Sequence, residues 1–183
     1  TALLLFVEME KTKNFGSSLI RDTLNKYDYE DPREKAFLKR LTEGTLESLL
    51  TLDYVINAYS KTPTNKMKPL IRSLLRLSVY QILYMDTVPC NEAVRLAKKK
   101  GFERLSGFVN GVLRTITRNK EEILNSESAF WQELQKNPVQ ALSVRYSVPE
   151  WMISLWEAQY GEEKTEPMLE RLKNGRPLTI RLD

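Results

Sequence analysis

Basic side chains recur at helical spacing through the middle of this 183-residue sequence. Lys68, Arg72 and Arg76 follow one another at intervals of four, which places them along one side of a helix. Recognition of phosphate groups requires several cations held at fixed separations on rigid elements. The sequence therefore predicts a surface that binds nucleic acid. The candidate residues of this surface are Lys68, Arg72, Arg76, Lys98, Lys99, Lys100, Arg104, Arg114 and Arg118.

The distribution of charge points in the same direction. Residues 66–120 carry 12 Lys and Arg against 3 Asp and Glu, although the net charge of the whole chain is only +4. Such asymmetry indicates a polyanionic partner. Individual residues also have simpler interpretations. The Lys98–Lys100 triplet lies where cations stabilise a helix C-terminus, and the stems of Arg72 and Arg76 can cover apolar surface.

Catalytic and metal-binding chemistry finds few candidates in this chain. With no His and one Cys, an intrachain disulfide is impossible and a zinc site of Cys and His is close to excluded. Cys90 follows Pro89, but no strand pattern precedes the pair, so we interpret Cys90 as a small residue in the first turn of a helix. We predict no catalytic residue, metal or cofactor here. The single thiol and the lack of an apolar run of ~20 residues predict a cytoplasmic protein without a membrane segment.

Helical periodicity dominates the chain and predicts an all-α fold. Asp31 followed by Pro32 is typical of a helix start, and Gly101 is typical of a helix end. Gly44 interrupts the longest helical pattern and is predicted to break or kink it. The predicted helices lie around residues 3–7, 17–26, 31–59, 66–85, 89–100 and 107–118, followed by two or three short ones.

Two glycines mark the last helix of the basic block. Gly107 and Gly111 are four residues apart, so one side of this helix is nearly bare and another backbone is predicted to approach it closely. Asn110 lies beside that side, and we predict that it bonds a neighbouring loop or helix end. Gly107, Asn110 and Gly111 are therefore interpreted as structural residues.

The final seven residues, "PLTIRLD", differ from the rest of the chain. Leu178, Ile180 and Leu182 alternate with polar residues, and this period of two is the pattern of a half-buried strand. A single strand without a pairing partner is marginal in water. We therefore predict that this terminal strand, taken alone, is either disordered or lies against the helices.

Three stretches resemble one known family. "VPCNEAVRLAKKKGFERLSGFVNGVLRTI" resembles the signature of NusB-like RNA-binding domains, and "DPREKAFLKRLTEGTL" and "LRLSVYQILYMDTVP" resemble the earlier helices of that family. The motifs occur in the family's order over roughly residues 2–120. The later stretch, from "LSVRYSVPEWMISLW" to the end, is similar to the connector of RsmB-type (Sun/Fmu) ribosomal RNA cytosine methyltransferases.

The resemblance implies a NusB-like helical bundle at residues 1–122, a helical connector at 123–175 and the first strand of a methyltransferase portion at 176–183. It also implies that the full-length protein methylates carbon 5 of a cytosine in small-subunit ribosomal RNA with S-adenosylmethionine. This chain would then bind or position RNA without catalysing, and its partners would be ribosomal RNA and the catalytic domain.

Two other readings stay open from the sequence. In the first, the chain is a free-standing antitermination factor of the NusB kind. In the second, it is a protein-docking scaffold that has no affinity for RNA.

Overall fold

The computed structural model describes residues 2–12, 21–22 and 32–173. Within these residues the chain forms eleven α-helices, which confirms the predicted all-α fold. Most of the predicted helix at 17–26, and the predicted strand at 176–183, lie outside the described residues. The helices are α1 (Ala2–Thr12), α2 (Pro32–Glu47), α3 (Leu49–Tyr59), α4 (Pro69–Tyr84), α5 (Cys90–Lys99), α6 (Ser106–Arg118), α7 (Lys120–Leu124), α8 (Ala129–Gln132), α9 (Pro138–Tyr146), α10 (Glu150–Tyr160) and α11 (Glu162–Lys173).

Helix α4 lies at the centre of the bundle. Pro69 is its first residue, where a backbone N–H would have no acceptor within the helix, so proline loses no helical hydrogen bond there. Ten of its sixteen residues are buried, among them Ile71, Leu75 and Ile82. Helices α1, α2, α3, α5, α6 and α7 all pack against it. Because burial of one such aliphatic side chain contributes about 1.5–3 kcal/mol, this helix organises much of the core.

The predicted long helix at 31–59 is two helices. The interruption falls at Ser48, whereas Gly44 is a buried residue inside α2, so the predicted break at Gly44 is wrong. A Cβ atom at residue 44 would lie 1.9 Å from the hydroxyl oxygen of Tyr80. Because Gly44 has no Cβ atom, the Tyr80 ring of α4 packs directly on the backbone of α2.

The interruption at Ser48 creates a docking point for the later helices. The first amides of α3 have no acceptor within their own helix. The N–H of Leu50 donates to Ser147 Oγ at 3.0 Å, and the hydroxyl of Thr51 donates to the carbonyl oxygen of Val144. Ser147 follows α9 with a φ of +56°, and its hydroxyl reaches a helix start that precedes it by 97 residues.

Aromatic side chains join α8 to the same helix. The rings of Tyr54 and Trp131 stack with centroids 5.4 Å apart, and those of Tyr59 and Phe130 stack at 5.6 Å. The indole N–H of Trp131 donates to the carbonyl oxygen of Ile123 at 3.0 Å. Stacked aromatic pairs of this kind contribute about 0.5–1.5 kcal/mol each beyond the area that they bury.

Helices α9, α10 and α11 pack on one another around two fully buried residues, Ile153 and Leu169. Glu166 ties α11 to α9, because one of its carboxylate oxygens accepts from Arg145 at 3.0 Å and from the Tyr146 hydroxyl at 3.2 Å. None of the helices in the described ranges is both long and apolar enough to cross a membrane.

Gly107 and Gly111 do not serve helix packing. A Cβ atom built at either residue meets no atom within 4 Å, and both glycines are exposed. The prediction that another backbone approaches them is therefore wrong within the described structure. The buried side of α6 is formed instead by Val109, Leu113 and Ile116.

Replacement of glycine by alanine should have opposite effects on stability at the packed Gly44 and at the exposed Gly111. We expect Gly44→Ala to lower the free energy of unfolding by about 1–3 kcal/mol, because the new methyl group overlaps a packed aromatic ring. Gly111→Ala is the matched control and should raise it by about 0.5–1 kcal/mol, because alanine favours the helix and meets no neighbour. Urea unfolding measures both, and a loss of similar size at the two positions would contradict the packing described here.

Candidate nucleic-acid interface

Helix α6 presents a basic face to solvent. Its outward residues are Gly107, Gly111, Arg114 and Arg118, and Arg104 precedes them in the 3₁₀ turn before the helix. The spacing of three and four residues keeps this row on one side of the helix. Residue 118 is 14 residues beyond residue 104, so the row is about 20 Å long at the rise of an α-helix. The two glycines leave the backbone between the arginines uncovered.

The arginines of this face are held by neutral partners. Arg114 Nε donates to the side-chain oxygen of Asn110 at 3.2 Å, and Arg118 donates to the Thr115 hydroxyl at 3.4 Å. These bonds orient the guanidinium groups without cancelling their charge. Asn110 thus bonds its own helix, and the prediction that it bonds a neighbouring loop or helix end is wrong.

Three lysines lie at the end of α5. Lys98, Lys99 and Lys100 are all exposed. Gly101, two residues after the helix, has a φ of +81°, and the N–H of Phe102 donates to the carbonyl oxygen of Ala97 at 2.9 Å. This left-handed ending suits glycine. The lysines complement the helix dipole and also place three charges beside the turn that leads into α6.

Lys68 joins this turn from another helix. It occupies the position before α4, and its Nζ lies 5.4 Å from the centroid of the Phe102 ring. A cation–π contact of this kind at an exposed site is worth about 0.5–1 kcal/mol and leaves the ammonium group open to solvent. The start of α4 is therefore held next to the turn that carries Arg104.

The structure places Arg72 and Arg76 differently from the prediction. Arg76 binds Asp53 of α3 through two bonds of 2.7 and 2.6 Å, and the side chains are 13% and 22% exposed. Arg72 is half-buried and donates to the carbonyl oxygen of Thr64 at 3.3 Å. Both arginines join elements of the bundle, so we leave them out of the binding surface proposed below.

Asp53 was not predicted from the sequence as a structural residue. It is the one acidic residue of the apolar helix "LLTLDYVINAY". A lone charge within such a pattern indicates a buried partner, because an unpaired charge inside a protein is costly. That signal was available in the sequence, but the identity of the partner depends on how α3 and α4 pack.

Lys120 is also neutralised. Its ammonium group pairs with the carboxylate of Asp86, a residue with a φ of +50° that follows α4. The hydrogen bond from Lys120, together with its charge, lowers the pKa of the Asp86 carboxyl below its ordinary value of 3.8. The pair connects the end of α4 to the start of α7.

Seven of the nine predicted cations lie at the surface, and we call these seven residues the cationic surface. Among the described residues, the structure records no ion pair for any of these seven. Such charges, carried by helix ends and a helix face, suit the recognition of a phosphate backbone. The cationic surface consists of Lys68, Lys98, Lys99, Lys100, Arg104, Arg114 and Arg118.

Cys90 is buried in the first turn of α5. Within the described part of the chain, His, Cys, Asp and Glu form no group of three or more that could hold a metal ion.

The two classes of arginine should respond differently to the loss of charge. We expect Arg76→Met to lower the free energy of unfolding by about 3 kcal/mol, because it leaves the mostly buried Asp53 carboxylate unpaired. The matched control, Arg114→Met on the exposed face, should change it by no more than about 0.5 kcal/mol. Urea denaturation of both variants measures the difference, and equal losses would contradict the assignment of Arg76 to the core.

The Asp86–Lys120 pair predicts a pH dependence. Because the folded pKa of Asp86 is lowered, its stabilising contribution is present above pH 3.8 and is lost as the pH falls through the folded pKa. An NMR titration of the Asp86 carboxyl should have its midpoint below 3.8, and Lys120→Met should move it upward. Lys136→Met, which removes the partner of Glu133 instead, serves as the control. A midpoint that Lys120→Met leaves unchanged would exclude the pair in solution.

Comparison with known proteins gives two groups of relatives. The chain is 33% identical over 169 residues to "Probable ribosomal RNA small subunit methyltransferase B" of Bacillus subtilis, covering 90% of this chain and 36% of that protein. It is 29% identical to the Synechocystis protein of the same description, covering 100% of this chain and 40% of that protein. It is 36% identical to "Transcription antitermination protein NusB" of Thermodesulfovibrio yellowstonii, covering 56% of this chain and 70% of that protein.

The fold has a solved counterpart, described as "Crystal Structure of PH0851". It superposes with a TM-score of 0.66 at 16% identity and covers 92% of this chain and 37% of the other. The chain therefore spans between a third and two fifths of the longer proteins that match nearly all of it. The sequence model of the NusB family matches residues 1–118, which contain helices α1 to α6 and the whole cationic surface. On that match, this chain belongs to the NusB family.

Proposed function

We propose that this chain is the RNA-binding part of a small-subunit ribosomal RNA methyltransferase and that it holds RNA through the cationic surface. The observation that carries the proposal is the cationic surface around the α5–α6 turn and along α6, whose seven residues form no ion pair with any residue that the structure describes. The relatives that match 90% and 100% of the chain are described as ribosomal RNA small subunit methyltransferases.

The geometry of α6 supports a backbone-reading role. Arg114 and Arg118 are exposed on a helix whose other side is packed in the core, and Arg104 is exposed in the 3₁₀ turn that leads directly into it, so their spacing is rigid. Phosphate contacts position a protein on nucleic acid, whereas contacts to bases select the sequence. The uncovered backbone at Gly107 and Gly111 lets a strand approach the helix closely between the arginines. We infer that this face positions RNA without reading its sequence.

Catalysis belongs, in this proposal, to a separate part of the polypeptide. Methyl transfer to carbon 5 of cytosine needs S-adenosylmethionine and a nucleophile. The only Cys of this chain is buried, and we assign no cofactor-binding residue here. The chain would act by bringing RNA to a catalytic domain in the cytoplasm.

A free-standing antitermination factor is the second candidate, favoured by the relatives described as NusB. Those matches cover 47–62% of this chain, whereas the methyltransferases cover 82–100% of it. The longer matches take in helices beyond residue 118, where the NusB family model ends. The coverage therefore favours the methyltransferase.

The proposal predicts salt-dependent RNA binding that α6 controls. We expect Arg114→Glu combined with Arg118→Glu to weaken binding of single-stranded small-subunit ribosomal RNA at least about tenfold. The slope of the logarithm of the binding constant against the logarithm of salt concentration should become less negative by about 1.4, because two phosphate contacts disappear. Fluorescence anisotropy across a salt series measures both quantities, with a scrambled RNA of equal length alongside.

The matched control is Lys164→Glu combined with Arg171→Glu on α11, where both residues are exposed. It changes the net charge of the chain by the same amount at a distant site. Equal losses from the two double variants would show that only the total charge matters. Absence of binding by the unaltered chain would favour the scaffold interpretation instead.

A further inference from the structure

Helix α10 has an outward face without charge. After Glu150, its exposed residues are Trp151, Ser154, Leu155, Ala158, Gln159 and Tyr160. Tyr160 is nine residues from Trp151 and lies on the other side of the helix, so the face consists of the first five. Glu157 is half-buried at its edge. Trp151 and Leu155 are 65% and 45% exposed and lie four residues apart, so their side chains are neighbours. The two charged residues of the helix, Glu150 and Glu157, lie at the edge of this face and not on it. Depletion of charge together with an exposed Trp is typical of the centre of an interface.

The opposite side of α10 packs into the fold. Ile153 is completely buried, and the helix packs against α9 and α11. The exposed side chains therefore stand on a helix that is already fixed in the fold. Nothing in the packing of the described helices requires a Trp at residue 151, because most of its surface faces solvent. An apolar face that the fold does not use internally is available to a partner.

The comparisons connect this face with the longer relatives. The NusB family model ends at residue 118, and α10 lies at Glu150–Tyr160. The match to the Synechocystis methyltransferase extends over the whole chain, which is 40% of that protein. The match to the solved structure likewise covers 92% of this chain but only 37% of the other chain. The face thus occurs in the part of the fold that is shared with proteins of much greater length.

We propose that the outward face of α10 docks onto the further polypeptide that makes up the rest of such a methyltransferase. This inference rests on the function proposed above. The docked surface would be apolar and neutral, with a pocket for the Trp151 indole and a smaller one for Leu155. Trp151 would be the anchor, because a Trp at the centre of an interface contributes more than its neighbours.

Size favours a tethered partner over a second copy of this chain. A stable complex of free proteins buries about 800 Å² on each partner, more than one face of an eleven-residue helix supplies. A domain on the same polypeptide has an effective concentration of about millimolar, so a smaller interface holds it. Interfaces between domains of one chain are correspondingly smaller on average.

Hydroxyl-radical labelling of residues 1–183 and of the complete natural polypeptide tests the proposal. Trp151 and Leu155 should be labelled about fivefold more slowly in the complete polypeptide, because the core of an interface excludes water. Phe37, 40% exposed on α2, should be labelled equally in both and serves as the internal control. Equal labelling of Trp151 in both proteins, or a natural polypeptide that ends at residue 183, would overturn the proposal.

Substitution gives a second measurement. In the complete polypeptide, Trp151→Glu combined with Leu155→Glu should speed protease cleavage between residues 1–183 and the rest of the polypeptide about tenfold, because parts that are no longer docked open more easily. Val88→Glu, at an exposed apolar residue in the turn before α5, should leave the rate unchanged. If residues 1–183 alone form a dimer that the double substitution dissociates, the occupant is a second copy and the proposal is wrong.

RNA binding separates this inference from the proposed function. The double variant of α10 in residues 1–183 should bind RNA within about twofold of the unaltered chain, because α10 carries none of the cationic surface. Loss of docking with RNA binding retained would support both proposals. If α10 docks but the unaltered chain does not bind RNA, the proposed function is contradicted and the docking inference is not.

Discussion

The burial of α4 on nearly every side is the constraint from which the rest of the structure follows. A helix with ten buried residues has to be covered by several neighbours, and six helices pack around it. Its close contacts set requirements elsewhere, as at Gly44, where no Cβ fits beneath Tyr80. They also place Arg76 against Asp53, where a paired charge is tolerated and an unpaired one would be costly. The bundle is therefore held by packing that is specific at single atoms.

The same packing divides the basic residues into two groups. Arg72, Arg76 and Lys120 face other elements of the bundle and bond to them. The seven residues of the cationic surface lie at the end of α5, before α4 and along α6, where solvent reaches them. Basic residues at regular spacing in a sequence thus include some that bond within the bundle and some that are exposed to solvent. Only the direction of each side chain in the structure distinguishes the two groups. The proposed RNA-binding role depends on the exposed group.

The helices after residue 118 extend the bundle and are attached through α3. Ser147 caps the start of that helix, and Trp131 stacks on Tyr54. This attachment leaves α10 with Ile153 packed inward and with Trp151 and Leu155 outward. The chain therefore has two surfaces of opposite chemistry. One is basic and suits a phosphate backbone, and the other exposes Trp151 and Leu155 and suits the docking proposed above.

The sequence by itself determined the helical class, most helix positions, the concentration of positive charge in residues 66–120 and the family resemblance. These are local properties, because periodicity, helix-ending residues and composition are read from neighbouring positions. Only the tertiary structure decided that the helix break lies at Ser48, that Gly107 and Gly111 face solvent, and that Arg76 belongs to the core. Each of these depends on a contact with a residue distant in sequence, or on the absence of one. Periodicity places a residue on one side of a helix, but it does not say what that side meets.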